Sequence, residues 1–299
     1  MVAVSSSGAP TLPARARREP VVSAAPAPRV YALLGDPVAH SLSPRMQNAA
    51  FRHAGLDATY VARRAVAEDV PRLMRALARA GGGGNVTVPF KTVAAGALDV
   101  ATPDVVATGA CNTFWWAEGA LHGDNTDVAG FLAAVRMLVP RLEGRRALVL
   151  GAGGAARAVV HALLSSGAAE VVVANRTPGR AEALVEALDD AGVLRVLALS
   201  EAARLDGLDL VVNATSLGLG ADDPLPLDPR PGAHGAAFDL VYRPGGTAWT
   251  RAAAARGIPA AEGTEMLIRQ GAEAFRRWTG LEAPLAVMRA ALEEAAPAD

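Results

Sequence analysis

Short apolar runs bounded by Gly, Asn, Asp or Pro recur along this chain and alternate with longer stretches of helical apolar spacing. The clearest run is Arg146 to Leu150, which passes through Gly151-Ala152-Gly153-Gly154-Ala155-Ala156 into a helix. Glu170 to Ala174 follows as a second β-branched strand, at the distance a βαβ unit requires. Val30 to Gly35, Asp57 to Ala62, Asn85 to Lys91, Asp209 to Asn213 and the run Ala236 to Pro244 read as further strands. Between them, helical spacing covers Ser43 to Phe51, Val66 to Ala80 and Val128 to Leu138, and a last helix opens at Gly263 with Phe275 and Trp278 on a core face. Gly109 to Trp116 and Ala120 to Gly123 form a predicted hairpin about Glu118-Gly119. Strands alternating with helices predict an α/β protein with buried parallel strands.

Composition narrows this little. At 299 residues the chain is long enough for two domains. The formal net charge of -1 gives no reason to expect a nucleic-acid or membrane partner, and no apolar run approaches the roughly 20 residues of a membrane span. One cysteine, Cys111, excludes an intrachain disulfide framework, fits the reducing cytoplasm and reads as a packing residue. Residues 1–28 form a Ser/Ala/Pro-rich leader with Arg15, Arg17 and Arg18, expected to be disordered rather than a secretory signal. The five histidines show no paired ligand spacing, so no metal is expected.

The candidate chemistry sits at strand ends. Gly151 permits a sharp turn, Gly153 lets a ligand approach the backbone, and Ala156 keeps the helix close to the sheet, so the backbone N–H groups of residues 151 to 155 form a platform for a pyrophosphate. The second strand ends in Asn175-Arg176-Thr177 with Arg180 close behind, where an NAD-binding chain carries Asp or Glu. Two planar guanidinium forks suit a 2′-phosphate better than a diol, which favours NADP(H); the bland alternative is a solvated helix start. Ser43 before Pro44 has the form of an N-cap, and Ser41 beside it adds a hydroxyl where an anion is favoured. Asn85 and Thr87 share one face of the expected strand, and Lys91 follows at its mouth. Asp127 reads either as the N-cap of the next helix or as the carboxylate that meets Lys91.

Gly35-Asp36-Pro37-Val38-Ala39-His40-Ser41-Leu42-Ser43-Pro44, Asn85-Val86-Thr87-Val88-Pro89-Phe90-Lys91, Gly109-Ala110-Cys111-Asn112-Thr113 and Gly123-Asp124-Asn125-Thr126-Asp127 together resemble the shikimate dehydrogenase family. So do Asn175-Arg176-Thr177, Asn213-Ala214-Thr215-Ser216-Leu217-Gly218, Asp239-Leu240-Val241-Tyr242, and Met266-Leu267 with Gln270. The resemblance covers nearly the whole chain after the leader. It implies a mixed-sheet α/β substrate domain, residues 29–127 plus the C-terminal helices in 264–299, facing a Rossmann-type NADP-binding domain, residues 128–263, with linkers near Asp127 and Gly263. It implies NADPH-dependent, reversible reduction of 3-dehydroshikimate to shikimate in aromatic amino acid biosynthesis, by a monomer or homodimer. Matching positions give Lys91 and Asp127 as the catalytic pair, with Ser41, Ser43 and Tyr242 at the substrate carboxylate and Asn85, Thr87, Asn112 and Gln270 at the ring hydroxyls. Gly151, Ala152, Gly153, Gly154, Ala155, Asn175, Arg176, Thr177, Arg180, Thr215, Ser216 and Leu240 fall on the cofactor side, with Gly263 and Met266 beside the nicotinamide. Gly84, Cys111, Arg243 and Thr264-Glu265 depart from the family's usual residues, and Arg243 stands where it can alter the cleft edge. The Ser-x-Ser form resembles shikimate users more than quinate users. Quinate or an amino-substituted shikimate remains as an alternative substrate, and a non-catalytic NADPH-binding regulator would be expected to lack Lys91 or Asp127.

Overall fold

A computed structural model describes residues 28–189, 192–220, 222–243 and 245–294; the expected leader lies outside them save for Pro28. The described residues form two six-stranded sheets. The first is built from β1 (Arg29–Gly35), β2 (Ala58–Arg64), β3 (Gly83–Val86), β4 (Val100–Ala101), β5 (Thr113–Ala117) and β6 (Ala120–Asp124), in the order β2-β1-β3-β5-β6-β4. Strands β1, β2 and β3 run parallel, while β5 is antiparallel to both β3 and β6, so the sheet is mixed. The predicted hairpin is present, with Glu118 and Gly119 both at positive φ (51° and 80°) in a two-residue turn.

Successive residues of β1 point to opposite faces, and both faces are covered. Ala32 and Leu34 join one cluster with Leu73 and Met74 of α2 (Val70–Arg79), Val105 of α4 (Pro103–Thr108), Cys111 and Phe114. Tyr31 and Leu33 join the other with Met46 and Phe51 of α1 (Ser43–His53), Ile268 and Phe275 of α10 (Thr264–Thr279), and Met288 of α11 (Leu285–Glu293). The C-terminal helices therefore return to the first sheet. Between α2 and α4 lies the short α3 (Lys91–Ala95), which presents Lys91.

The second sheet comprises β7 (Arg146–Leu150), β8 (Glu170–Ala174), β9 (Leu194–Leu197), β10 (Leu210–Asn213), β11 (Ala237–Asp239) and β12 (Ala260–Ala261), all parallel. Its order β12-β11-β10-β7-β8-β9 reverses direction between β7 and β10, the doubly wound arrangement that opens a ligand crevice at the carboxyl ends of those strands. One face packs against α5 (Thr126–Leu138), α6 (Gly154–Ser165) and α7 (Pro178–Leu188). The other face meets α8 (Leu199–Ala202) and α9 (Ala248–Ala255).

Helices α5 and α10 tie the two halves. Met266 at the start of α10 belongs to the second sheet's core, whereas Ile268 and Phe275 belong to the first. Where α10 crosses α5, a Cβ on Gly130 would stand 2.7 Å from Gln270 Cβ, so only glycine permits this approach.

Three local expectations change. Strand β3 ends at Val86 rather than running to Lys91; Thr87 to Phe90 close a turn in which the Phe90 N–H donates to the Thr87 carbonyl at 2.9 Å, and Pro89 has no N–H with which to extend a ladder. Leu42, not Ser43, is the N-cap of α1, and Ser43 is its first helical residue. Asn125 caps α5, which places Asp127 inside the first turn with its side chain free of capping duty.

Candidate active site

The turn after β3 delivers Lys91 to the start of α3, and the chain reversal after β6 delivers Asp127 to the start of α5. Their side chains, 11% and 9% exposed, form a direct ion pair in which Lys91 Nζ donates to Asp127 Oδ2. Asp127 Oδ1 accepts from Asn112 Nδ2 at 2.8 Å, so the carboxylate is held from both sides. Asn112 is fixed in turn: its Oδ1 accepts the Thr126 N–H at 2.8 Å and its Nδ2 donates to Thr126 Oγ1 at 3.0 Å. Asn85, near the end of β3, donates from Nδ2 to the Asn112 carbonyl (3.0 Å) and to Thr113 Oγ1 (2.7 Å), and its Oδ1 accepts the Tyr60 hydroxyl at 2.7 Å. Lys91, Asn85, Asn112 and Asp127 thus form one connected polar cluster, all buried.

Thr87, half-buried in the turn between β3 and Lys91, packs against Gly35. A Cβ on Gly35 would lie 2.3 Å from Thr87 Cγ2, so the glycine makes room for the threonine. Ser41 Oγ accepts the Ser43 N–H at 3.3 Å, and Ser43 makes no capping bond. Tyr242, which follows β11 in the other half of the molecule, brings its hydroxyl to the Ser41 side chain and the Leu42 backbone, and burial lifts its phenol above the ordinary value. Gln270 is brought near through α10, but its Nε2 donates to Leu267 of its own helix at 2.9 Å and makes no bond to the cluster.

Facing the cluster is the turn after β7. Gly151 adopts φ +116°, and a Cβ there would strike the Ala214 carbonyl at 2.8 Å; at Gly153 a Cβ would meet nothing within 4 Å. Gly153 caps α6 without a side chain, which leaves the helix's first N–H groups open to an anion. Ala152 and Ala155 flank this turn half-buried. A Cβ on Gly154 would stand 3.2 Å from Lys91 Cβ and Cδ, so the lysine stem lies directly on the first turn of α6. At the end of β8, Asn175 Nδ2 donates to the Thr177 carbonyl at 2.8 Å, and Thr177 caps α7. Arg176 and Arg180 are exposed there with no ion-pair partner among the described residues. An open helix N-terminus, an unfilled glycine surface and two uncommitted guanidiniums fit a dinucleotide carrying a 2′-phosphate.

Thr215 is engaged within its own loop. Its hydroxyl donates to Asn213 Oδ1 at 2.7 Å and accepts the Leu217 N–H at 3.1 Å, so it builds the loop after β10, while Ser216 beside it is exposed. Asn213 Nδ2 donates to Asp239 Oδ1 (2.8 Å), and Asp239 Oδ2 accepts from Thr247 Oγ1 (2.7 Å). Asp239 is fully buried, and that burial raises its carboxyl above the usual range. Glu262 Oε2 accepts from the backbone N–H of Arg243 (3.2 Å) and from Thr264 Oγ1 (2.8 Å), joining the Tyr242 loop to the start of α10. Leu240 and Gly263 touch closely: a Cβ on Gly263 would lie 2.3 Å from the Leu240 carbonyl. Arg243, the departure at the cleft edge, donates through Nε to the Gly218 carbonyl at 2.9 Å and through Nη2 to Leu219, so it clamps the loop after β10.

Sequence reasoning missed Tyr60, Thr113, Thr126, Asp239 and Glu262. A lone buried aromatic on β2 gives no sign that its hydroxyl is engaged; the Asp at the end of β11 was visible, but its partners come from two other segments. Cys111 is fully buried and its thiol is pushed up to about 12, chiefly by desolvation, which suits a packing residue.

A doubly wound sheet whose glycine turn faces a buried ammonium–carboxylate pair defines a Rossmann-type dinucleotide-binding protein with a second, substrate-binding half. The family model described as "Shikimate dehydrogenase substrate binding domain" matches residues 33–114, "Shikimate / quinate 5-dehydrogenase" matches 133–218, and "Shikimate 5'-dehydrogenase C-terminal domain" matches 263–293. A shikimate dehydrogenase (NADP(+)) of Rubrobacter xylanophilus is 46% identical over 270 residues, spanning 87% of this chain and 94% of the relative. The crystal structure of shikimate 5-dehydrogenase from Thermus thermophilus in complex with NADP(H) and shikimate is 42% identical, with a TM-score of 0.77 over 89% of this chain and 99% of that one. Shikimate dehydrogenase from Aquifex aeolicus gives a TM-score of 0.80 at 36% identity, over 88% and 97% of the two chains. The chain belongs to the shikimate dehydrogenase family.

Proposed function

We propose that this protein catalyses the reversible, NADPH-dependent reduction of 3-dehydroshikimate to shikimate, in the cytoplasm and as a monomer or homodimer, as a step of aromatic amino acid biosynthesis. Residues 29–127 and 264–299 would bind the substrate and residues 128–263 the cofactor. The observation that carries this reading is the buried Lys91–Asp127 pair lying against the first turn of α6, where the cofactor's phosphates are to bind.

When bound, the cofactor supplies the hydride that reaches the ring carbonyl carbon. Lys91 then has two tasks at the oxygen on that carbon: its ammonium stabilises the charge that grows there and donates the proton that completes the hydroxyl. Asp127 orients Lys91 and accepts a hydrogen bond from a ring hydroxyl, while Asn112 keeps the carboxylate from turning away. Asn85, Thr87 and Gln270 seat the remaining hydroxyls, Gln270 by releasing its bond to Leu267. Ser41 and Ser43, at the amino end of α1, receive the substrate carboxylate with Tyr242 closing over it. Gly151 to Ala155 cradle the pyrophosphate. Arg176 and Arg180 pair with the 2′-phosphate beside Asn175 and Thr177. Ser216, Leu240, Gly263 and Met266 border the nicotinamide end, and Thr215 acts there by shaping its loop.

Mixing the purified protein with NADP and, separately, shikimate, quinate and an aminoshikimate tests the reading through nicotinamide absorbance. Turnover is expected with shikimate and NADP; rapid turnover of quinate with little of shikimate would move the protein to another branch of the family, and no turnover of any acid would sink the enzymatic reading.

A further inference from the structure

We propose that Tyr60 is a positioning residue that occupies one lone pair of Asn85 Oδ1, so that Asn85, whose amide is oriented by the Asn112 carbonyl, offers the substrate ring a single acceptor and the ring position seated there must carry a hydrogen-bond donor. This rests on the reading that Asn85 faces the substrate ring.

The argument is an inventory of donors and acceptors. A primary amide has two N–H donors and a carbonyl oxygen with two lone pairs. Both Asn85 donors are already used, on the Asn112 carbonyl at 3.0 Å and on Thr113 Oγ1 at 2.7 Å. The Asn112 carbonyl can only accept, so it is the amide nitrogen that faces it and the flipped orientation is excluded. One Oδ1 lone pair is taken by the Tyr60 hydroxyl at 2.7 Å. What remains toward a ligand is a single acceptor site. A ring hydroxyl or an amine can satisfy it by donating, but a ketone or an ether oxygen cannot. The carbonyl of the substrate is thereby turned away from Asn85 and toward Lys91, whose ammonium offers only donors. Asn85, held by Asn112, Thr113 and Tyr60 together, thus contributes to choosing which ring oxygen is reduced.

Tyr60 is held well enough to do this. It is 1% exposed, the one buried residue of β2. Asn48 of α1 accepts its backbone N–H and donates to its carbonyl, both at 2.8 Å, and its ring lies 5.9 Å from that of Trp278 in a tilted pair. Burial raises its phenol far above the ordinary value, so it remains a protonated donor across the working pH range. Because Asn48 sits in the helix that begins at Ser43, Tyr60 also sets the spacing between the hydroxyl-binding and carboxylate-binding ends of the site.

Tyr60→Phe keeps the ring packing and removes only the hydroxyl. The expected result is a shikimate KM raised roughly fivefold, the loss of about one neutral hydrogen bond, with kcat and the NADP KM little changed. The three monodeoxy shikimates supply a coupling test: the analogue lacking the hydroxyl that meets Asn85 should lose less, relative to shikimate, in Tyr60→Phe than in the wild type. Thr113→Val, which frees one Asn85 donor, should raise the shikimate KM likewise, and Thr113→Ser should restore it. A lowered unfolding temperature with an unchanged shikimate KM and an unchanged deoxy penalty would make Tyr60 a core residue only and overturn the inference. Asn85→Ala is the control: if it leaves the shikimate KM unaltered, the placement of Asn85 at the ring fails and this inference with it, whereas a raised KM there beside silent Tyr60→Phe and Thr113→Val variants sinks the inference alone.

Discussion

The two sides of the cleft are built on opposite plans. On the substrate side, Lys91, Asp127, Asn112 and Asn85 spend their hydrogen-bonding capacity on one another, and each is buried. On the far cofactor edge, Arg176 and Arg180 stand in solvent, with no ion pair among the described residues. The difference follows from the parts proposed for the two sides. A group that takes part in proton transfer has to be in place before the reaction, because reorienting it during the reaction raises the barrier. A group that selects between a phosphate and a hydroxyl needs only charge and reach, and it orders when the ligand arrives.

This contrast predicts effects of different size and kind. Lys91→Ala removes the preset side's central donor, and kcat should fall about 10²- to 10⁴-fold with a smaller change in shikimate KM; near-normal turnover in steady-state kinetics would break the comparison at its base. Arg176→Asp acts on the open side and should weaken NADPH use by about 1.5–3 kcal/mol, read as kcat/KM with NADPH against NADH, while leaving kcat with saturating cofactor nearly intact. An unchanged cofactor preference would remove the 2′-phosphate assignment. The smallest effect concerns the joint between the two sides. Burial lifts the Glu262 carboxyl above its usual range, with the nearby Asp239 charge acting in the same direction. Its folded-state value is therefore higher than its unfolded one, so its stabilising contribution is complete in acid, below the unfolded value, and is lost as pH rises through the folded value. Glu262→Gln, which keeps an acceptor without the charge, should unfold about 1–3 °C above the wild type at pH 8, and the gap should close on acidification. A gap that is the same at both ends of the range would show that Glu262 titrates alike in the folded and unfolded chain.

How much of this was legible in the sequence divides along the same line. The second sheet follows from local pattern: β-branched runs at βαβ spacing and a glycine turn announce themselves within a few residues, and the same runs place Arg176 just after the end of β8. The ion pair was anticipated as a possibility, yet whether Asp127 capped its helix or reached Lys91 depended on which residue held the N-cap, and Asn125 holds it. Strand β3 was drawn too long because alternation continues through Thr87 and Pro89 after the ladder has stopped. Ser43 looked like a cap because Pro44 follows it, but helix α1 begins one residue earlier than that pattern implies. Tyr60, Asp239 and Glu262 were not legible as site residues: each acts through partners brought from other segments by the fold, and no local spacing encodes such a meeting.

The crossing of α5 and α10 at Gly130 has a mechanical consequence. The Gln270 backbone lies against a residue that has no side chain, and a Cβ there would stand 2.9 Å from the Gln270 nitrogen. Helix α5 packs in the core of the second sheet, whereas α10 starts in that core at Met266 and continues into the core of the first sheet with Ile268 and Phe275. Adding a single methyl group at position 130 would therefore force α5 and α10 apart at the joint between the two halves of the enzyme.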